Sequence, residues 1–354
     1  MNVPDQRLRF QHITRPHEGP PEGLIAWLGA VQAQEYPFAK WALALRLGAS
    51  ATDADIERAF TEGRILRTHV MRPTWHFVAA PDIGWMLALT APRVHGTLAS
   101  YVKHQGIDRR TLVRATAVIE RALDGGRSLT RRELGTALAR SHITLSALQL
   151  GLVTLFAELE RVICSGPRIN GQFTYALLPE RAGRQRELSP DEALAELTTR
   201  FFRSHGPATV RDFVWWSGLR TSAARRGLDI VKARSCEQDG LTYWSVATRS
   251  TPVRADLVHL LPIYDEYLVA YRDRVAVPHG PGTIKTGSRV VGFRHAMVID
   301  GQVAGTWRTE TNGRAAMIQV TPMRRLRTAE RKGIAAAVDR YARFLGTEVS
   351  LMLG

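Results

Sequence analysis

The sequence predicts an α+β chain in which helix–helix–hairpin units of winged-helix type stand in tandem and a small antiparallel β-barrel closes the C-terminal end. Three observations lead there. Capping signals precede apolar residues spaced by three and four, most clearly at Thr130-Arg131-Arg132-Glu133. Turn signals such as Gly166-Pro167-Arg168-Ile169-Asn170-Gly171 then lead into short β-branched and aromatic runs. From about residue 252 the texture changes to alternating strands, with Asp300-Gly301 and Asn312-Gly313 as hairpin turns.

Taken in order, the first unit (1–95) opens with a helix whose proline, Pro21, suits a first turn and whose Leu24, Ile25, Leu28 and Val31 share one apolar face. A second helix is expected near 53–62 and a strand in 70–80, around Trp75, Phe77 and Val78. The second unit (96–185) contains the Thr130 helix, a helix through Leu145, Leu148, Leu152, Leu155, Phe156 and Leu159, and a hairpin of 162–164 with 173–178. The third (186–250) repeats the pattern with helices over 190–205, 209–216 and 221–232, then a strand at 243–246; no residue-level repeat accompanies it. The last (251–354) is the barrel with a helix over 328–345, carrying Ile334, Ala337, Val338, Tyr341 and Phe344 on one side.

The 354 residues, 45% of them hydrophobic, suffice for several cores. A formal charge of +15 and a pI near 10.6 favour a polyanionic partner, although the excess of arginine over lysine is also what a biased genome produces. No apolar run approaches the roughly 18 residues of a membrane helix, and residues 1–16 lack a signal-peptide core, so a cytoplasmic, nucleoid-associated protein without a membrane partner is expected. Cys164 and Cys236 stand far apart without partner cysteines or histidines at ligand spacing. That suggests neither a disulfide framework nor a metal or cofactor; both thiols are expected in or near the core.

Gln32-Ala33-Gln34 lies where the first helix approaches Pro37. Pro37 biases Tyr36 away from helical geometry, so the chain loosens there, and in an extended stretch both amides face one way. From spacing alone, two solvated glutamines at a frayed helix end are the simpler reading, and something beyond spacing is needed to overturn it. Arg67, His69, Arg72 and His76 cluster in the next segment, suited to phosphate contact, to lining a pocket, or to one solvated strand face. Arg294 and His295 open the first barrel hairpin and Arg308 and Arg314 bracket the second, with Arg324, Arg325 and Arg327 before the final helix. Asp265 and Glu266 are rivals as a general base, or turn residues. The glycine-rich 280–287 loop lacks P-loop spacing and reads as a connection.

Three segments in order resemble the AlkZ and YcaQ family of winged-helix DNA glycosylases over nearly the whole chain. They are Gln32-Ala33-Gln34, the Arg67-Thr68-His69-Val70-Met71-Arg72-Pro73-Thr74-Trp75-His76-Phe77-Val78 run, and Leu260-Leu261-Pro262-Ile263-Tyr264-Asp265-Glu266-Tyr267. Family members carry glutamine, an apolar residue, then glutamine or aspartate; here the third position is Gln34. The resemblance implies that Gln32 and Gln34 flank the glycosidic bond of an alkylated nucleotide, and that a barrel hairpin reaches the DNA.

The resulting expectation is a monomeric, monofunctional glycosylase acting on double-stranded DNA with cationic N7-alkylguanine-type bases. Bulky adducts or interstrand crosslinks are included, in DNA repair or in self-resistance to a genotoxic natural product. A lyase would need an amine nucleophile, and Lys40 is the one lysine near the motif. Two other classes fit the same modules: a non-catalytic transcriptional regulator, and a protein that sequesters the alkylator.

Overall fold

The computed structural model describes residues 2–246, 258–272, 294–311 and 315–354. Its first helix, α1 (Val3–Phe10), is capped by the Asn2 side chain accepting from the Asp5 amide. Helix α2 (Pro21–Leu28) begins on its proline as expected but stops at Gly29, whose φ of 91° suits glycine. Val31 therefore leaves the apolar helix face and pairs in β1 (Val31–Gln32). Pro37 does not loosen the chain: Tyr36 and Pro37 form the first turn of α3 (Tyr36–Leu47), where the missing N–H is harmless. A Thr52/Asp55 capping box starts α4 (Asp53–Thr61), followed by the hairpin β2 (Ile65–His69) and β3 (Trp75–Ala79). The three strands form an antiparallel sheet ordered β1-β3-β2.

Helices α5 (Ile83–His104) and α6 (Arg109–Leu123) had no counterpart in the motif reading, and α5 runs through the 95/96 boundary. Strand β4 (Leu129–Thr130) and the Thr130–Glu133 capping box lead into α7 (Arg131–Arg140). Helix α8 (Ala147–Leu159), β5 (Ile163–Ser165), β6 (Thr174–Leu177) and α9 (Leu178–Ala182) complete this part, with a sheet ordered β4-β6-β5 over a core including Leu134, Val153 and Ile163. Helices α10 (Pro190–Ser204) and α11 (Val210–Ser217) start at capping boxes, and with α12 (Thr221–Val231) they precede the hairpin β7 (Arg234–Gln238) and β8 (Leu241–Ser245). Cys164 is buried, whereas Cys236 on β7 is exposed rather than near the core.

The C-terminal part carries the expected β-sheet, with one parallel strand pair that the hairpin signals did not indicate. Strands β9 (Val258–Leu261), β10 (Ala296–Ile299), β11 (Gln302–Thr311), β12 (Ala315–Pro322) and β13 (Glu348–Leu353) form an open sheet ordered β13-β12-β11-β10-β9 among the described residues. The β12–β13 pair is parallel because α14 (Thr328–Leu345) carries the chain back over the sheet, a crossover that a hairpin cannot make. Asp300 and Gly301, both with positive φ, make the β10–β11 turn as their sequence required. Asn312-Gly313, Arg314 and the 280–287 loop lie outside the described residues.

This sheet is fastened to the first unit. Trp41 of α3 donates through Nε1 to the Leu260 carbonyl at 2.8 Å, and Trp41, Ala44 and Leu45 share a core with Leu260, Tyr341 and Phe344. Just after β9 the chain turns through Asp265 into the short helix α13 (Glu266–Val269). Residues more than 200 positions apart thereby meet beneath the Gln32-Ala33-Gln34 segment.

Candidate active site

The β1–β3 ladder sets the site's geometry. Gln32 stands opposite His76, and His76 opposite Thr68, while Trp75 stands opposite His69. Directly opposed residues of an antiparallel pair project to the same face. Gln32 and His76 consequently share one face, and His69 and Trp75 the other, so the two histidines that bracket Arg72 in sequence serve different surroundings.

On the first face the Arg72 Nη2 lies 3.5 Å from Gln32 Oε1 and 3.4 Å from His76 Nε2. His76 Nδ1 is 2.8 Å from the Thr74 carbonyl, which accepts only from a protonated nitrogen, leaving Nε2 as an acceptor for Arg72. Burial and the neighbouring Arg72 charge push His76 down to about 3, so it is neutral at physiological pH. Burial likewise lowers Arg72, opposed by the charge of Glu266. Arg72 rides on a tight turn: Met71 has a φ of 64°, and a Cβ on Gly218 would meet the Met71 carbonyl at 2.3 Å, so α11's end presses directly on it.

Beneath β1 lies Glu266, fully buried. Its Oε1 accepts from the Gln32 backbone N–H at 2.8 Å and its Oε2 from Trp216 Nε1 at 2.9 Å, with His205 Nε2 at 3.4 Å from Oε2. Burial alone would raise this carboxyl, but His205, the Gln32 amide and Arg72 outweigh it and bring it to about 2. Its neighbour Asp265 is occupied elsewhere, holding Arg46 through two 2.8 Å bonds in the core and capping α13. Neither carboxylate is arranged as a solvent-facing general base.

On the other face Arg67 is turned inward. Its Nε donates to the Ala33 carbonyl at 3.0 Å and its Nη2 to that of Gln34 at 3.4 Å, with the guanidinium over Trp75 at 4.3 Å and Phe173 at 4.7 Å. Burial lowers it to about 10, still protonated at neutral pH. His69 Nδ1 bonds closely to the buried Glu158, its ring 3.9 Å from that of Trp75. Gln34 itself is exposed; its Oε1 lies 3.4 Å from the Trp75 N–H.

The barrel-region residues are a separate group. Arg294 is exposed; His295 packs against Phe38 and Trp307, accepts from the Ile263 N–H through Nδ1 at 3.0 Å, and is lowered to about 4 by burial. Arg308 is exposed on β11 and bonds Gln319 at 2.7 Å. A further basic feature escaped the motif reading: a cleft of about 490 Å³ lined by Arg72, Arg93, Arg211, Arg272 and Trp215. These arginines come from four separate segments, each unremarkable alone. Among the described residues no three His, Cys, Asp or Glu side chains converge to hold a metal ion, and no helix is long and apolar enough to cross a membrane.

A family model described as DNA glycosylase AlkZ-like matches residues 25–344. A Streptomyces sahachiroi protein named interstrand DNA cross-link repair glycosylase is 25% identical over 321 residues, covering 85% of each chain. The solved structure of Streptomyces sahachiroi DNA glycosylase AlkZ aligns over 100% of this chain and 98% of its own with a TM-score of 0.82 and 22% identity. The match takes in both ends of the site, from the glutamine segment to Glu266, and the chain belongs to the AlkZ-like family of DNA glycosylases.

Proposed function

We propose that this protein is a monofunctional glycosylase that hydrolyses the N-glycosidic bond of cationic N7-alkylguanine-type nucleotides in double-stranded DNA, with Gln32 and Gln34 handling the nucleophilic water. The observation carrying this is the fixed frame of the motif: the Gln32 N–H is held by Glu266, and the Ala33 and Gln34 carbonyls by Arg67. An alkylated base is already positively charged and leaves readily, so the enzyme's task is to orient water and shelter an oxocarbenium-like sugar. Amides do both without titrating, by accepting from water and donating to oxygen. Weak base catalysis follows from the lack of a carboxylate, which restricts the reaction to activated lesions.

Hydrolysis rather than lyase chemistry is supported at Lys40, whose ammonium is tied to Asp53 at 2.8 Å and Glu57 at 2.7 Å. The helix and hairpin sequences of the first three units are read as tandem winged helices, bounded near the inferred 95, 185 and 250. Arg72, Arg294 and Arg308, with the arginines of the adjoining cleft, are the cations offered to the phosphates; Arg67, His69 and His76 act from within the frame, and His295 supports the C-terminal sheet against Phe38 and Trp307. The name of the Streptomyces sahachiroi relative extends the proposed substrates to interstrand crosslinks, and the proposed role to repair or self-resistance.

The test is incubation with duplexes carrying defined N7-alkylguanine adducts, scoring free base and alkali-labile sites. Gln32→Ala and Gln34→Ala should each abolish most release while leaving duplex affinity nearly unchanged. Release at the wild-type rate in both variants defeats the proposal, and sequence-specific binding without release marks a regulator instead.

A further inference from the structure

The carboxylate of Glu266 stands directly beneath the reaction centre without facing it. One oxygen accepts from the Gln32 backbone N–H at 2.8 Å, the other from Trp216 Nε1 at 2.9 Å, and His205 closes the remaining side at 3.4 Å. Each of these partners is itself immobilised. The Trp216 ring packs against Gly29, two residues before β1, where an added Cβ would approach it to 3.0 Å. The His205 ring stacks on Phe201 at 5.0 Å and 8°, its Nδ1 is 2.7 Å from Ser204 Oγ, and its carbonyl accepts from Tyr271 at 2.8 Å. A buried charge of this kind is expensive to desolvate and weak evidence for stability alone. Its Oε1 accepts from the peptide that carries Gln32.

We infer that Glu266 is a positioning residue for the glycosylase reaction, fixing the Gln32 peptide so that its carboxamide meets the nucleophilic water in the reactive geometry. The inference rests on the proposed role of Gln32. β1 is two residues long and pairs on one side with β3, so its ladder alone leaves the Gln32 N–H without a strand acceptor. Glu266 supplies that acceptor from α13, more than 200 residues away, with a reach set by one glutamate side chain. Arg72, whose Nη2 lies 3.5 Å from the Gln32 side-chain Oε1 and whose charge is favoured by that of Glu266, links the Gln32 carboxamide to the carboxylate that holds its peptide.

The test is single-turnover base release from an N7-alkylguanine duplex, measured beside duplex Kd for Glu266→Ala, Glu266→Asp, Gln32→Ala and the Gln32→Ala/Glu266→Ala pair. Withdrawing the carboxylate by one methylene in Glu266→Asp keeps the charge but breaks the reach. Release should fall about 100-fold, as for a misplacement near 1 Å, with Kd within about twofold. The pair should be no slower than Gln32→Ala alone, because groups acting as one unit are not additive. Should Glu266→Ala not fold, the Glu266→Gln/Trp216→Phe pair restores an acceptor for Gln32 and removes the donor that would confront the new NH₂. That protein should release base within about tenfold of the wild-type rate, since the acceptor rather than the charge positions Gln32. Wild-type release in folded Glu266→Asp, multiplicative losses in the Gln32 pair, or a Kd that weakens in step with the rate each overturn the inference. Fast release in Gln32→Ala instead defeats the catalytic reading itself.

Discussion

Arg67 and Ala33 are joined by a 3.0 Å hydrogen bond from the guanidinium Nε to the carbonyl oxygen between the two motif glutamines. The side chain is 7% exposed and lies over Trp75 and Phe173, so the charge serves the protein before it can serve DNA. Arg67→Met keeps the stem and removes the donors. Its unfolding free energy in urea should fall by about 1.5–3 kcal/mol, the worth of hydrogen bonds from a charged group, and base release should slow while duplex Kd holds. A tenfold loss of affinity with unchanged release would instead put this guanidinium on a phosphate.

Asp265 belongs to the framework. Its pairing with Arg46 is bidentate and both side chains are buried, so removing one partner strands the other's charge. Asp265→Ala should cost about 3–5 kcal/mol of stability, read by denaturant midpoint at constant slope. Release per folded molecule should match the wild type; a folded but inactive Asp265→Ala would make this carboxylate the general base.

Because neither Gln32 nor Gln34 titrates, single-turnover release should be flat between about pH 5.5 and pH 8. His76 is already neutral throughout that window, with its value pushed down to about 3. A bell-shaped profile with a limb near 6 would bring a histidine into the chemistry.

Stability, unlike rate, should depend on acid. His76 and His295 are held at about 3 and about 4, below the histidine value of about 6.5 in an unfolded chain. As pH falls below about 6.5 the unfolded state binds protons that the native state refuses, so stability drops. Glu266, depressed to about 2, contributes stability that is complete above the unfolded glutamate value and is lost as pH falls through about 4.3 toward 2. Both effects have the same sign. Urea midpoints from pH 7 to pH 4 should decline, and His76→Gln should flatten the decline above pH 5; an unaltered slope in that variant would show that His76 is not buried neutral.

The arginine cleft gives a salt-dependence test. Arg93 and Arg211 line it with exposed side chains. If both neutralise phosphates, Arg93→Ala/Arg211→Ala should lower the slope of log K against log salt by about 1.8, at about 0.9 per phosphate contact on duplex DNA. An unchanged slope would remove this cleft from the DNA path.

Local chemistry made much of the fold readable. The Thr130 and Thr209 caps, Pro21 at a helix start and the Asp300-Gly301 turn act within a few residues, and each appears where its side chains require it. Pro37 was misread because one proline fits both a helix end and a helix start; the pairing of Val31 and Gln32 with β3 decided between them. Helices α5 and α6 lacked a distinctive motif, and the all-antiparallel pairing expected of the C-terminal strands does not extend to β13, which a returning helix places parallel to β12.

The sequence by itself determined the local elements and, through three ordered motifs, the family. Tertiary structure decided which residues meet: His69 and His76 part to opposite faces because strand pleat alternates, and Glu266 reaches the Gln32 peptide only once the C-terminal sheet packs on the first unit. No pattern within a short window encodes such contacts, since burial energy and ladder register, summed over distant segments, bring them together.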